Sequence, residues 1–330
     1  MLLAFGLLAG CGDEPVEVTT QPVTTEVPVE TTVEVTTEPP PVLTLNTEEL
    51  TLTEVGQQEM IYSGDIPVEL IRWSTDNSSV AVVDKGVVTA MGTGVANIYG
   101  VFDDQSVTCA VNSSATYTGD RNPILSMPET YSVDASFFDD AVFVGDSISM
   151  TLFRCQNGML GNAQFLVQGS YSIHNAVYDS GPMYYRGRPY NNLEDAVAAT
   201  EPKKIFVLLG VNDLGLFGVD KTLEDYKVMI LQIHEACPDA DIYIQSMTPI
   251  WTGNERRLLT NNNVRAFDAM LRSFALENGF GYIDLAPYLQ DYTGGLATCY
   301  TSDNYVHLSE EGVKLWASVL RAYPDYDTTE

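Results

Sequence analysis

The rhythm of apolar and polar positions divides this chain into stretches of different character. Residues 1–10, MLLAFGLLAG, form an unbroken run of apolar and small side chains. Asp13 to Pro41 holds eight Thr, seven Val, six Pro and six Glu in 29 residues, with no Lys, Arg, Gly or aromatic. Proline removes amide donors and favours extended backbone, and like charges repel. Such a stretch buries no core, so residues 12–41 are expected to form an extended stalk. Over 42–112 the pattern is one of short β-type runs: Thr44–Asn46, Leu50–Leu52, Glu69–Trp73, Val80–Val83, Gly86–Ala90, Ala96–Tyr99 and Val107–Val111. Asp84-Lys85-Gly86 and Asp103-Asp104-Gln105 read as hairpin connections. Seven short strands in about 70 residues predict a small β-sandwich. Residues 113–130 are polar, with Gly119, Pro123 and Pro128, and read as a linker.

From Tyr131 the rhythm changes again. The runs Ala141–Val144, Phe165–Val167, Lys204–Leu209, Ile242–Ile244 and Tyr282–Leu285 are continuously apolar or nearly so, as in strands buried on both faces. Amphipathic stretches near 148–156, 192–199, 223–236, 260–278 and 309–323 alternate with them. That alternation predicts an α/β domain over 131–326, a parallel sheet with helices on both faces.

Ligands of such sheets bind at the carboxyl ends of the strands. After the first strand stands Gly145-Asp146-Ser147, and after the second Gln168-Gly169-Ser170-Tyr171-Ser172. Gly210-Val211-Asn212-Asp213 follows the third, and Ser302-Asp303-Asn304-Tyr305-Val306-His307-Leu308 precedes the last helix. A serine hydroxyl at a strand-to-helix turn lies among free amide groups at the positive end of a helix, which suits an anion forming on a bound carbonyl. Serine is a weak nucleophile without a base, and an imidazole such as that of His307 is the natural base. The order of these blocks resembles the SGNH (GDSL-like) hydrolase family over about Asp139–Tyr323. The resemblance implies a three-layer, flavodoxin-like α/β/α fold and a metal-independent serine esterase with Ser147 and His307 in catalysis. It also implies an oxyanion hole from the Ser147 amide, the Gly169 amide and the Asn212 side chain. Ser170, two before Ser172, is the other candidate for the family glycine position. The family places its acid three residues before the histidine, where this chain has Asn304. Asp303 stands four before. Either a longer turn lets Asp303 orient His307, the reading adopted here, or a Ser–His pair works with a carbonyl behind the ring. Asp146 and Asp213 read as braces, and His174 and His234 as structural.

Composition narrows the picture. With 16 Lys and Arg against 45 Asp and Glu, the net charge is −29. That disfavours nucleic acid and direct attraction to anionic lipid. No HExxH, CxxC or GxxxxGK[ST] stretch occurs, so no metal or other cofactor is expected. The apolar run is too short to span a bilayer and is similar to the core of a secretory signal. Leu8-Ala9-Gly10-Cys11 resembles a bacterial lipobox, which makes residues 1–11 a lipoprotein signal and Cys11 the lipidated residue. Membrane contact is then expected only through that anchor, at the extracytoplasmic cell surface. Within 42–112, Trp73–Asp84 and Gly86–Gly94 resemble a bacterial Ig-like group 2 domain, which implies a spacer. The other four cysteines suit export; Cys155 and Cys299 would pair if their elements meet at the site. Tyr171, Tyr184, Tyr185, Tyr190, Trp251 and Tyr305 fall on loops near strand ends, where they would stack on sugars or simply be exposed. Arg186 and Arg188 would hold an anionic group of a substrate or, the favoured reading, pair with Glu194 and Asp195. The family implies small acyl groups, O-acetyl first, on carbohydrate or cell-wall polymers, with lipids or thioesters as alternatives. The displaced acid and the Ig-like segment motivate another alternative, an inactive adhesion or carbohydrate-binding protein.

Overall fold

The structure is a computed structural model that describes residues 40–116, 122–178, 182–324 and 326. The apolar run, Cys11 and the stalk to Pro39 lie outside the described residues.

The N-terminal unit contains β1 (Glu49–Leu52), β2 (Gln58–Met60), β3 (Arg72–Thr75), β4 (Ala81–Asp84), β5 (Val87–Ala90), β6 (Gly94–Phe102) and β7 (Gln105–Ser113). They form two sheets, in the orders β1-β7-β6-β3 and β2-β5-β4. Alternation along β6 turns Ala96 and Ile98 inward. There they meet Leu52, Cys109 and Val111 of the same sheet and Ala81, Val83, Val88 and Ala90 of the other, so the two sheets share one apolar core. Thr44–Asn46, expected as a strand, is not one: the Asn46 side chain accepts from the Tyr62 amide at 2.8 Å and ties the chain locally. The expected strand Glu69–Trp73 begins as a 3₁₀ turn at Val68–Leu70, which follows Pro67, and only then becomes β3. β2 lacks the alternation that would have betrayed it, because all three of its residues are exposed.

The second unit begins with β8 (Ala141–Gly145) and α1 (Ser147–Cys155). It continues through β9 (Gln164–Val167), α2 (Ile173–Tyr178), the hairpin β10 (Met183–Tyr185) and β11 (Arg188–Tyr190), and α3 (Leu193–Ala198). Then come β12 (Lys204–Leu208), α4 (Val211–Ala236), β13 (Asp241–Gln245), α5 (Asn261–Glu277), β14 (Gly281–Ile283), α6 (Ala286–Leu289) and α7 (Glu310–Ala322). Five strands make one sheet in the order β14-β13-β12-β8-β9, every pair parallel. In chain order that is 2-1-3-4-5 read from the other edge, the flavodoxin-like arrangement, whose switch point falls between β8 and β12. α1 packs with α7, while α2, α3 and α5 pack with α4, giving a helical layer on each face. Register places Phe165, Phe143, Phe206 and Tyr243 side by side on four successive strands. Their rings stack at centroid separations of 5.1, 4.7 and 4.8 Å, a cross-strand ladder that pins the sheet below its working edge.

α4 starts twelve residues before the stretch read as helical, at Val211 rather than Leu223. Gly218, at φ 76°, breaks it into a short first segment and a long second one, and a break of that kind interrupts the apolar periodicity.

Candidate active site

β8 delivers Gly145 to the sheet edge, and α1 begins two residues later. An added Cβ on Gly145 would stand 2.0 Å from Ser149 Oγ and 3.0 Å from the Leu208 carbonyl, so only glycine lets the helix seat this closely. Asp146 caps the helix: its Oδ1 accepts from the Ile148 amide at 2.9 Å. Burial pushes this carboxyl up to about 7; the Ile148 amide and the nearby His307 pull against that rise, and Asp213 adds to it. Ser147 is thereby the first helical residue, half-buried, at the switch point of the sheet.

The loop before α7 supplies its partners. His307 Nε2 lies 3.0 Å from Ser147 Oγ, and Nδ1 lies 2.6 Å from Asp303 Oδ2. A carboxylate only accepts, so Nδ1 carries the hydrogen and Nε2 is left to accept from the serine. Asp303 Oδ1 also accepts from the amides of Tyr305 at 2.8 Å and His307 at 3.2 Å. Burial raises the Asp303 carboxyl, but the His307 side-chain hydrogen bond, the Tyr305 amide and the imidazole charge together bring it below the ordinary carboxylate range. Asn304 is exposed. It takes the left-handed conformation, φ 53°, that lengthens the turn by one residue, and its carbonyl accepts from Asn254 Nδ2 at 2.9 Å. Asn254 was not foreseen; nothing marks it in the sequence except its place in the loop after a strand. Ser309 then caps α7 by accepting from the Gly312 amide.

Asn212 comes to the same edge at the start of α4. Its Nδ2 donates to the Tyr171 carbonyl at 2.9 Å and to Asp146 Oδ2 at 3.2 Å, which engages both amide hydrogens. Asp213 is buried and accepts from the amides of Ile173 and His174, each at 2.9 Å, so it caps α2 from a neighbouring element. Burial raises its carboxyl, and those two amides lower it. Between these anchors the chain turns through Gly169 and Ser170, both exposed, with the Tyr171 amide donating to the Gln168 carbonyl. Ser170 holds the left-handed position, φ 58°. The blocks after β8, β9 and β12 and the loop before α7 thus meet at one edge.

The sequence model of the GDSL-like Lipase/Acylhydrolase family matches residues 143–315, just over half of the chain. The chain belongs to that family. This acylhydrolase is a serine ester hydrolase, and one ground for reading it as an inactive binding protein, the displaced acid, falls away, since a carboxylate does reach His307. Among solved structures, it is similar to a GDSL-like lipase from Bacteroides thetaiotaomicron, at 16% identity and a TM-score of 0.46, over 59% of this chain and 89% of that one. It is also similar to a carbohydrate esterase family 3 protein from Talaromyces cellulolyticus, at 13% and 0.40 over 55% and 93%. A third likeness is to the C-terminal catalytic domain of Streptococcus pneumoniae peptidoglycan O-acetyltransferase A, at 17% and 0.39 over 56% and 92%. No curated protein matches the chain.

Other expectations fared differently. Cys155 and Cys299 are free thiols and not a disulfide: α1 carries Cys155 eight residues beyond Ser147, about 12 Å along the helix axis. The guanidinium groups of Arg186 and Arg188 lie over the rings of Tyr185 and Tyr190, 5.1 and 5.2 Å from their centroids, rather than on Glu194 and Asp195. Those tyrosines and Tyr184 belong to the β10–β11 hairpin, whereas Tyr171 is buried. Trp251 and Tyr305 adjoin the His307 loop, the Trp251 amide donating to the Tyr305 carbonyl at 2.8 Å. His174 packs against Tyr178 and Phe217 with its ring tilted to both, and the rings of His234 and Phe280 meet at 70°.

Proposed function

We propose that Ser147 is the nucleophile of this esterase, His307 its general base and acid, and Asp303 the residue that orients and stabilises the imidazolium. Ser147 Oγ attacks the ester carbonyl while Nε2 takes its proton. The C–O bond to the alcohol then breaks, the alcohol leaves with that proton, and water repeats the sequence on the acyl-enzyme to release the acid. The relay of 3.0 Å and 2.6 Å from Ser147 through His307 to Asp303 carries this reading. The Ser147 amide, the amide of Gly169 or Ser170 and the Asn212 side chain are the oxyanion donors. Asn212 reaches the oxyanion by giving up the longer of its two contacts, that to Asp146.

The substrates are small acyl groups, O-acetyl first, on carbohydrate or cell-wall polymers. The family supports this, as do two aromatic residues, Trp251 and Tyr305, at the loop that carries His307. The protein acts outside the cytoplasm, held by a lipid on Cys11 and raised by the stalk over 12–41, with an Ig-like domain at 42–112 and the hydrolase at 131–326; the sequence patterns support that organisation. A longer acyl chain, as in a lipase, is a second reading. It is favoured by the exposed Leu216 and Phe217, one turn along α4 from Asn212. Hydrolysis of 4-nitrophenyl esters of rising chain length tests both. Acetate is expected to be the best substrate, and Ser147→Ala to lose at least roughly a thousand-fold in kcat. Undiminished turnover by Ser147→Ala would overturn the assignment, and a preference for long chains would favour the second reading.

A further inference from the structure

Among the described residues, no hydrogen bond joins the N-terminal β unit to the side chains of Asp303 and His307, yet an unbroken series of short contacts joins it to the loop that carries them. Gln290, at the end of α6, is only 1% exposed, and its Nε2 donates to the Ser78 carbonyl in the turn between β3 and β4 at 2.9 Å. Four residues on, Gly294 sits at φ 72° against the next residue of that turn. A Cβ there would meet the Ser79 Cβ at 3.5 Å and Arg265 Nη1 at 3.0 Å. Tyr288 Oη donates to Asp84 Oδ1 at 2.7 Å alongside. The segment so held folds back on itself, with the Ala297 amide donating to the Leu289 carbonyl and the Asp291 amide to the Gly295 carbonyl.

That folded segment is in turn joined to residues 250–252. The Leu296 amide donates to the Ile250 carbonyl at 3.1 Å, and the hydroxyls of Thr252 and Thr293 lie 2.6 Å apart. There is no slack between them: a Cβ on Gly295 would fall 2.0 Å from Thr252 Oγ1 and 2.8 Å from the Ile250 carbonyl. Residues 251 and 254 then grip the loop itself, through the Trp251 amide on the Tyr305 carbonyl and Asn254 on the Asn304 carbonyl. The Tyr305 amide is the same one that donates to Asp303. Tyr305 is therefore held from one side by the strap at 250–254 and from the other by the acid.

We infer that the β unit is a fixed brace of the acid–base loop, with Gln290 as a positioning residue, and not a detachable spacer; this rests on the roles proposed above for Asp303 and His307. Loosening the brace lets Tyr305, and with it Asp303, drift from the geometry that the transition state requires, while the starts of α1 and α4, which carry Ser147 and Asn212 and would hold a small acyl group, are left in place. A small misplacement of that kind costs turnover steeply. The test is Gln290→Leu in the full chain, which keeps bulk and removes the donor. The expected result on 4-nitrophenyl acetate is a kcat roughly tenfold lower with KM within about twofold, and faster hydrogen exchange at the amides of Tyr305 and His307. Tyr288→Phe, which removes one hydroxyl at the seam, is expected to shift both readouts in the same direction and by less, and it serves if Gln290→Leu does not fold. Unchanged kcat and unchanged exchange in a folded variant would overturn the proposal, as would a rise in KM alone. Faster exchange with unchanged kcat would overturn the positioning role. Exchange does not depend on which residues are catalytic, so failure of the Ser147 reading would show separately, in Ser147→Ala.

Discussion

At the scale of single residues, the instructive pair is Asp303 and Asn304. Both are polar, both precede the histidine, and the usual family interval points to the second. What decides between them is backbone: Asn304 occupies the left-handed region, which asparagine tolerates better than most residues. That turn swings the preceding carboxylate under the imidazole. Such a choice is not written in residue types, because either order of the two is compatible with the composition of the loop. Ser147, Asn212 and His307 were legible because each is fixed by its place at a strand end or before a helix. Asn254 and Gln290 were not, because their partners lie 50 and 212 residues away in the chain. Asp303→Ala is expected to lower kcat by roughly a thousand-fold, while Asn304→Ala keeps activity and costs about 1 kcal/mol of stability from the strained φ. Steady-state kinetics with thermal melts of both variants checks this; the reverse pattern would transfer the orienting role to residue 304.

At the scale of elements, the junction of β8 and α1 shows how tightly chemistry is tied to packing. The strand is buried along its whole length, the cap residue is buried, and Ser147 follows immediately. Gly145→Ala would drive a methyl group into Ser149 and towards the Leu208 carbonyl. The helix must then move away, at a cost of about 3 kcal/mol for an overpacked site, and Ser147 moves with it. A melting temperature lower by several degrees and a fall in kcat larger than any rise in KM are the expected outcomes. The five strands of the α/β sheet were legible from their apolar runs. The β10–β11 hairpin and the first segment of α4 were not. The hairpin is too short and too exposed to show a period, and Gly218 cuts the helix where a pattern would have needed to continue.

At the scale of the molecule, the seam between the β unit and the α/β unit holds a carboxylate that bears on stability. Asp284 lines a cavity of about 350 Å³ at that seam and accepts from the Thr75 amide at 3.4 Å. Burial pushes it up to about 7, against the pull of the Thr75 amide and of Arg272. The folded protein therefore keeps a proton that the unfolded chain releases near 3.8. Its contribution to stability is complete below that value, declines as pH rises from there to about 7, and is gone above. Asp284→Asn is expected to melt above the wild type at pH 8 and together with it at pH 4, by calorimetry at the two pH values; equal melting at both would refute the linkage. The His307 side chain is 38% exposed and that of Asp303 34%, so this pair stands at an open lip and not at the bottom of a shaft. On the roles proposed for Ser147 and His307, water for the second step would arrive directly from bulk solvent, and an acyl group borne mid-way along a polymer would be as reachable as one at its end.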